Sequence, residues 1–250
     1  MTELQNKTAI VTGAASGLGK ATANAVAQAG ANLCIADIDP TGLAETAAMV
    51  RGHGRQCVEI VGDLSDPNRC AELVGKTVDT FDRLDALCNV AGLIQFVNSH
   101  EMSDADWHRT MGVNLNAAFF VSRAAIPHLL KQDGAIVNVA STAAFIGEAY
   151  AAAYCASKAG MVAMTKAMAM EYMHQPIRIN AIAPGGMATN IGANLRMPEG
   201  ANIELIKRFS GMRGLVEVDD VANMIVHLAS DAGRAFHGSC VTMDRGITAG

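Results

Sequence analysis

The sequence contains no run of basic residues, and its overall charge is slightly negative. The chain has 19 Lys and Arg residues against 24 Asp and Glu residues, which gives a formal net charge of −5 at pH 7. Proteins that bind nucleic acids or anionic membranes concentrate positive charge on one surface. We therefore expect neither a nucleic acid nor a membrane as a partner of this chain.

The sequence also lacks the spacings that hold a structural metal. No two cysteines form a Cys-x-x-Cys pair, and no histidine stands at a distance along the chain that suits zinc. We therefore expect no metal site, and we interpret the cysteines as free thiols in a reducing compartment. The six cysteines are Cys34, Cys57, Cys70, Cys88, Cys155 and Cys240.

Hydrophobic segments of the kind that address a protein to a membrane are missing. Residues 1–7 lack the basic and then apolar pattern of a secretory signal, and no apolar run reaches the ~20 residues of a membrane-spanning helix. Hydrophobic residues make up 50% of the chain and charged residues 17%, a composition typical of globular proteins. We expect a cytoplasmic protein in which residues 1–250 form a single domain.

A glycine-rich turn gives the first positive indication of function. Residues 8–11 predict a buried strand, and residues 18–29 place apolar side chains at helical spacing. Between them, Gly13 permits a tight turn, Gly17 lets the backbone approach a pyrophosphate, and Gly19 allows close packing of the helix. The alternative is a plain loop of small residues. The flanking strand and helix favour a dinucleotide site, because a helix N-terminus attracts phosphate.

An acidic residue at the end of the next predicted strand indicates which dinucleotide is bound. Asp37 follows the strand at residues 33–36 and lies 18 residues beyond Gly19, near the ~20 typical of the acid that binds the ribose hydroxyls. A 2′-phosphate would meet its carboxylate, and Ile38 stands where an NADP enzyme often has Arg. We expect NAD as the cofactor. The alternative is that Asp37 only caps the following turn.

The remaining chain alternates short apolar runs with helical patterns. This alternation predicts a Rossmann fold of the α/β class, with a doubly wound, seven-stranded parallel sheet and helices on both faces. Ligands of such sheets bind at the carboxyl ends of the strands, where Asp63 and Asn89 stand. The further strands are predicted at 57–61, 84–90, 135–140, 178–183 and 240–243. Helices are predicted at 42–50, after a cap at Ser65 or Asp66, at 104–130, 151–173 and 203–209, and from Asp219 or Asp220 onward.

Tyr154 and Lys158 are four residues apart in a predicted helix, so their side chains share one face. A phenol with a pKa of about 10 is a poor base near neutral pH. An ammonium at ~4 Å and an effective dielectric constant of ~20 would favour the phenolate by ~4 kcal/mol, or about three pKa units. The pair therefore predicts a general base, although such a pair alone is more often an ordinary solvated helix face.

The motifs together resemble those of the short-chain dehydrogenase/reductase family over essentially the whole chain. The matching residues are Thr12-Gly13-x-x-x-Gly17-x-Gly19, Asp63, Asn89-x-Ala91-Gly92, Asn114, Ser141, Tyr154-x-x-x-Lys158 and Pro184-Gly185. The resemblance implies a catalytic tetrad of Asn114, Ser141, Tyr154 and Lys158. In it, Tyr154 exchanges the proton, Ser141 binds the same substrate oxygen, Lys158 lowers the tyrosine pKa, and the Asn114 carbonyl holds a water molecule.

The resemblance also implies a set of cofactor contacts, in which Thr189 holds the carboxamide. They are Gly13, Ser16, Gly17, Leu18, Gly19, Asp37, Ile38, Asp63, Leu64, Asn89, Ala91, Gly92, Tyr154, Lys158, Pro184, Gly185, Met187 and Thr189. Two positions depart from the family pattern. Val90 replaces a common second asparagine, and Arg245 replaces a glycine that often follows Asp244.

These observations lead us to expect an NAD-dependent dehydrogenase of a secondary alcohol, active as a homotetramer. Apolar residues of a predicted lid at 186–213 and of the turn after Gly92 favour a bulky, largely apolar alcohol or ketone. They are Met187, Ile191, Leu195, Met197, Phe209, Ile94 and Phe96. The alternatives are a 3-oxoacyl-thioester reductase of the same family and an inactive NAD-binding sensor or scaffold. The intact tetrad argues against the last.

Overall fold

A computed structural model describes residues 4–188, 196–207, 211 and 213–249. Its centre is a seven-stranded sheet with the strand order β3-β2-β1-β4-β5-β6-β7, in which all neighbours are parallel. The strands are β1 (Thr8–Thr12), β2 (Asn32–Asp37), β3 (Cys57–Val61), β4 (Ala86–Asn89), β5 (Gly134–Val139), β6 (Ile177–Pro184) and β7 (Cys240–Met243). The predicted doubly wound parallel sheet is confirmed, and the strand order reverses direction between β1 and β4.

Helices cover both faces of the sheet. They are α1 (Gly17–Gln28), α2 (Pro40–Gly52), α3 (Pro67–Phe81), α4 (Asp104–Met111), α5 (Ala117–Leu129), α6 (Ala152–Glu171), α7 (Ile203–Lys207) and α8 (Val218–Ala229). Helices α1, α2 and α8 pack on one face, and α3, α5 and α6 on the other. Within β1, Ala9 and Val11 belong to the first core and Ile10 to the second. Burial on both faces explains why the strands are continuous apolar runs rather than alternating patterns.

Side-chain caps fix where several of these helices begin. Asp66 accepts a hydrogen bond from the Asn68 N–H at 2.9 Å, and Pro67 occupies the first turn of α3, as predicted. Helix α8 begins at Val218, one residue before the predicted start. Asp219 and Asp220 lie in its first turn, where negative charge interacts favourably with the helix dipole.

The predicted continuous helix at 104–130 is interrupted. A π-helical segment, Gly112–Asn116, separates α4 from α5. Asn114 lies in this segment and is fully buried. The side chain of Asn114 bonds to groups outside the helix, and a π turn orients it toward them. The prediction of one regular helix was therefore wrong at the position that carries Asn114.

The predicted lid is described only in part. Met187 pairs with Val216 in an isolated parallel bridge at its base, and α7 falls within it. Thr189, Ile191, Leu195 and Phe209 lie outside the described residues. In the described part of the chain, no helix combines the length and the apolar character needed to cross a membrane.

Candidate active site

A cavity of about 250 Å³ opens at the carboxyl ends of the strands, beside the point where the strand order reverses. Its lining includes the glycine turn before α1, Asp37, and the three side chains Ser141, Tyr154 and Lys158. Residues more than 100 positions apart in sequence thus meet in one cavity, because parallel strands deliver their ends to one edge of the sheet.

The glycines are required by close packing as well as by the turn. Gly13 has φ +69°, and a Cβ at this position would lie 2.7 Å from the Cα of Ala91. A Cβ on Gly19 would overlap the carbonyl oxygen of Gly13. The hydroxyl of Thr12 accepts hydrogen bonds from the N–H groups of Val90 at 3.0 Å and Ala91 at 3.1 Å. The turns after β1 and β4 are therefore joined directly and form one wall of the cavity.

The N-terminus of α1 offers hydrogen-bond donors to an anion. Ser16 is the N-cap residue, but its side chain makes no capping hydrogen bond, and the first turn contains no acidic residue. Ser16, Gly17, Leu18 and Gly19 all line the cavity. Backbone N–H groups at this end can therefore bind a phosphate without competition from a carboxylate.

Asp37 is held in place by two backbone N–H groups. Its Oδ2 accepts from Ala15 at 2.9 Å, and its Oδ1 accepts from Asp39 at 3.1 Å. Each carboxylate oxygen has further acceptor capacity for a ribose hydroxyl. Lys20, the basic residue nearest in sequence to the turn, pairs with Glu45 at 2.9 Å. The two backbone hydrogen bonds hold the carboxylate of Asp37 at the wall of the cavity, which it lines.

A second cavity of about 220 Å³ adjoins the first. Asp37, Ile38, Asp63 and Leu64 line it, as expected for an adenosine pocket. Ile38 is 65% exposed at the rim of this cavity. Arg109 also lines this cavity, and we did not predict it. It reaches the pocket from α4, far from the glycine motif in sequence, so the motif could not identify it.

The side chain of Asn89 forms hydrogen bonds inside the protein core. Its amide nitrogen donates to Asn138 at 2.8 Å and to Ser122 at 3.1 Å, and the residue is 4% exposed. It lines neither of these two cavities. The structure therefore places its side chain inside the sheet and α5 layer, while the neighbouring Val90, Ala91 and Gly92 line the first cavity. Residues that we did not predict also line the cavities: Ala36, Gly62, Ser65, Val90, Leu93, Arg109, Val113, Ala117, Val139 and Ala140.

Tyr154 and Lys158 lie on one face of α6, as their spacing predicted. The Lys158 Nζ is 5.7 Å from the centroid of the Tyr154 ring and donates to the Val139 carbonyl at 2.7 Å. Burial lowers the pKa of Lys158 to about 8. Its ammonium is therefore buried and anchored to the end of β5, next to Ser141.

The expected lowering of the Tyr154 pKa is not found in this structure. Burial raises the pKa of Tyr154 to about 12, and a hydrogen bond from Ser141 opposes that rise only in part. The charge of Glu148 raises it further. The spacing of Tyr154 and Lys158 does not reflect the cost of removing the phenolate from water, which outweighs the other contributions to the Tyr154 pKa. At neutral pH Tyr154 holds its proton.

Ser141 and Asn114 complete the arrangement implied by the motifs. Ser141 lines the cavity and caps a short 3₁₀ turn, Thr142–Ala144, by accepting from the Ala143 N–H at 3.2 Å. Asn114 exchanges two hydrogen bonds with the backbone of Leu93, at 2.8 and 2.9 Å. Its amide also donates to Ser157 at 3.0 Å. Asn114 therefore connects the turn after β4 with the helix that carries Tyr154 and Lys158.

Three of the remaining residues that we predicted as cofactor contacts lie in the wall of the first cavity. Pro184, Gly185 and Met187 line the first cavity at the end of β6. Together with the glycine turn, Asp37 and the open end of α1, they fit a nicotinamide dinucleotide. In the part of the chain that the structure describes, no group of three or more His, Cys, Asp or Glu side chains could hold a metal ion.

Comparisons with known proteins identify similar oxidoreductases. A family profile described as enoyl-(acyl carrier protein) reductase matches residues 13–248. The chain is 37% identical to a 2-dehydro-3-deoxy-D-gluconate 5-dehydrogenase of Escherichia coli, over 97% of this chain and 96% of the relative. It is 35% identical to a 3-oxoacyl-acyl-carrier-protein reductase of Thermotoga maritima, over 98% of both chains.

Two solved structures with bound cofactor superpose closely. A carveol dehydrogenase from Mycobacterium avium in complex with NAD has a TM-score of 0.90 and 26% identity, with 99% of both chains covered. A short chain dehydrogenase from Burkholderia cenocepacia in complex with NADP has a TM-score of 0.89 and 28% identity, with 98% of this chain and 99% of the other covered. Structural neighbours of this chain therefore include both an NAD and an NADP complex.

Proposed function

Because the chain belongs to the short-chain dehydrogenase/reductase family and is an oxidoreductase acting on CH–OH groups, we propose that it is an NAD-dependent dehydrogenase of a secondary alcohol. The substrate is bulky and largely apolar. The observation that carries this proposal is the single cavity that Ser141, Tyr154 and Lys158 share with the glycine turn and Asp37. An alcohol carbon placed against Tyr154 and Ser141 lies beside the space that fits the cofactor.

Tyr154, Ser141 and Lys158 have different roles in proton transfer. A nicotinamide dinucleotide held by the glycine turn and Asp37 would supply the hydride acceptor for alcohol oxidation and, in its reduced form, the hydride donor for ketone reduction. Tyr154 exchanges the proton with the substrate oxygen, and Ser141 donates a hydrogen bond to that oxygen and opposes its developing charge. Tyr154 is protonated at neutral pH, the form that reduction of a carbonyl requires. Alcohol oxidation requires the phenolate, which Lys158 favours while it is charged, below a pH of about 8.

Asp37 supports NAD over NADP. A 2′-phosphate would meet a carboxylate that already accepts from Ala15 and Asp39 and cannot turn away without losing both bonds. At ~4 Å and an effective dielectric constant of ~20, each added unit charge costs ~4 kcal/mol before screening. Screening and relaxation leave about 2–4 kcal/mol, or roughly 30- to 1,000-fold in favour of NAD. Arg109 is the described base that could offset this repulsion, because it lines the same pocket.

The apolar substrate is supported by two methionines of the predicted lid segment. Met187 lines the cavity, and Met197 is 40% exposed on the described part of the lid. Residues 186–213 would close over the substrate as a lid. The name of the carveol dehydrogenase agrees with an apolar alcohol, whereas that of the E. coli relative indicates a polar sugar acid.

A 3-oxoacyl-thioester reductase remains the second candidate, favoured by the Thermotoga maritima relative. Against it, the chain carries a net charge of −5, which disfavours docking of an acidic carrier protein. We further expect a homotetramer, since Met170 is 67% and Met173 46% exposed near the end of α6. Covering such a surface usually builds closed, symmetric assemblies.

A panel of alcohols and ketones tests the proposal. Cyclic and long-chain secondary alcohols, short hydroxy acids and a 3-oxoacyl thioester are offered with each cofactor, and the absorbance of reduced cofactor is followed. Faster turnover of the bulky alcohols with NAD supports the proposal. Preference for the thioester with NADPH supports the second candidate. Absence of turnover with every pair would contradict both.

A further inference from the structure

Three buried polar side chains form a chain of hydrogen bonds between the sheet and helix α6. The Asn89 amide nitrogen donates to Asn138 Oδ1 at 2.8 Å, and the Asn138 amide nitrogen donates to Thr165 Oγ1 at 2.9 Å. The Thr165 hydroxyl donates in turn to the Met161 carbonyl, one turn earlier in α6, at 2.8 Å. Asn138 is 0% and Thr165 1% exposed. Because these two side chains are shielded from solvent, their polar groups depend on partners within the protein.

The bond between Asn138 and Thr165 crosses a layer that is otherwise apolar. Ile136 lies on the same face of β5 as Asn138, Met168 lies one turn after Thr165 in α6, and both belong to the core on this face of the sheet. Apolar contacts are not directional, so they specify poorly how far a helix lies along a strand. A hydrogen bond has a narrow range of length and angle. A buried bond of this kind therefore selects one position of α6 against β5.

The same two elements carry the side chains of the active site. Lys158 Nζ donates to the carbonyl of Val139, the residue that follows Asn138, so two adjacent residues of β5 each hold one residue of α6. Ser141 follows two residues after Val139, and Tyr154 lies one turn before Lys158 in α6. A shift of α6 along β5 would therefore change the separation of Tyr154 from Ser141 and stretch the hydrogen bond of Lys158.

We propose that Asn138 and Thr165 are positioning residues, whose hydrogen bond fixes α6 against the end of β5 and so holds Tyr154 and Lys158 in place relative to Ser141. This inference rests on the proposed dehydrogenase function. Tyr154 and Ser141 must reach the same substrate oxygen, and a misplacement of ~1 Å can slow a reaction by ~10²-fold. Asn138 and Thr165 line neither of the two cavities that would hold the cofactor and the substrate, so they act only through the elements that they join.

The test removes the acceptor of Asn138 with little change in side-chain size. Thr165→Val replaces the hydroxyl by a methyl group, so the Asn138 amide loses its partner on α6. With the alcohol that the wild type oxidises fastest, the rate of cofactor reduction in a single turnover should fall roughly 5- to 50-fold. The KM for that alcohol and the affinity for NAD should stay within about threefold of the wild type. Thr165→Ser keeps the hydroxyl and should restore most of the rate.

Thr77→Val is the matched control. The Thr77 hydroxyl is also fully buried, and it donates to the carbonyl of Leu73, four residues earlier in its helix, at 2.7 Å. Thr77 lies in α3, which carries none of the three active-site side chains. Urea unfolding measures the stability that each variant loses. Thr77→Val should keep the wild-type rate in a single turnover, so a general loss of stability would not account for a slower Thr165→Val.

Crystal structures of the wild type and of the two valine variants measure the positioning without substrate, cofactor or turnover. The distance from Lys158 Nζ to the Val139 carbonyl oxygen is 2.7 Å in the wild type. In Thr165→Val it should exceed ~3.2 Å, the upper limit of an N–H···O hydrogen bond. In Thr77→Val it should not change.

The outcomes separate this inference from the function on which it rests. Where the wild type oxidises an alcohol, the proposal requires both the slower single turnover and the longer Lys158 distance in Thr165→Val, and the absence of either overturns it. An equal loss of rate in Thr77→Val also overturns it. If the wild type turns over no alcohol or ketone, the proposed function fails. The Lys158 distance then decides alone whether Asn138 and Thr165 position α6.

Discussion

Replacing Lys158 with methionine should stabilise the protein near neutral pH while it removes activity. Burial lowers the pKa of Lys158 from 10.5 to about 8. Between these values the folded state binds fewer protons at this site than the unfolded state, so the stability of the wild type rises with pH. Below pH 8 the charged form is retained at a cost of about 3 kcal/mol, since each pKa unit is worth ~1.36 kcal/mol. Methionine keeps the apolar stem and avoids that cost.

One loss offsets part of this gain. The Val139 carbonyl loses the donor that lies 2.7 Å away in the wild type, which costs about 1–3 kcal/mol if no other group replaces it. The difference between the variants at a single pH is therefore about 0–2 kcal/mol. Its change with pH is independent of the lost bond. Between pH 7 and pH 10 the advantage of Lys158→Met should shrink by about 2–3 kcal/mol, as the wild-type lysine becomes neutral.

Urea unfolding at pH 7, 8.5 and 10, at one protein concentration and without cofactor, measures this change. Lys166→Met is a matched control, because Lys166 lies on the same helix and is exposed. Its difference from the wild type should stay nearly constant with pH. A stability difference between Lys158→Met and the wild type that is independent of pH would refute the reasoning, since it would mean that Lys158 keeps an ordinary pKa in the folded protein.

Three further changes test other parts of the site and fold. Tyr154→Phe should lower kcat by about 10²–10⁴-fold and leave the affinity for NAD within about twofold of the wild type. The control Tyr172→Phe should change neither quantity. Steady-state kinetics measures kcat, and cofactor titration measures the affinity. Asp37→Asn should lower the preference for NAD over NADP at least ~10-fold in kcat/KM, and an unchanged ratio would remove Asp37 from cofactor selection. Arg178→Leu should lower the free energy of unfolding by about 2–4 kcal/mol, because the guanidinium donates to the carbonyls of Leu228, Ser230 and Gly233 at 2.6, 2.9 and 3.1 Å. A loss below ~1 kcal/mol in chemical denaturation would contradict this.

The sheet could be predicted from the sequence because its signals are local. Each apolar run is bounded by small or polar residues. Because parallel strands are buried on both faces, each one is a continuous apolar run that can be recognised without knowing which strand it pairs with. The acid at the end of β2 and the glycine turn could be located for the same reason. Their shared position at the carboxyl edge then follows from the direction of the strands.

The parts that sequence could not supply depend on contacts between distant segments. The π-helical segment has no local signal, since the partners of Asn114 are Leu93 and Ser157, separated by 21 and 43 residues. Arg109 lies on α4, 46 residues beyond Asp63 in sequence, and the two residues line the same cavity only in the folded chain. The raised pKa of Tyr154 reflects burial, a property of the whole fold that the spacing of two residues does not contain.

The π-helical segment also determines how this region can tolerate insertions and deletions. A π turn accommodates one residue more than an α turn, so it is equivalent to a single-residue insertion in a helix that would otherwise continue from α4 into α5. Deleting one residue from 112–116 could restore a regular helix with all its backbone hydrogen bonds. Every side chain on one side of the deletion would then rotate by about 100° relative to the other. The resulting helix would be locally more regular, yet Asn114 would no longer face both Leu93 and Ser157, and the connection between the turn after β4 and α6 would be lost.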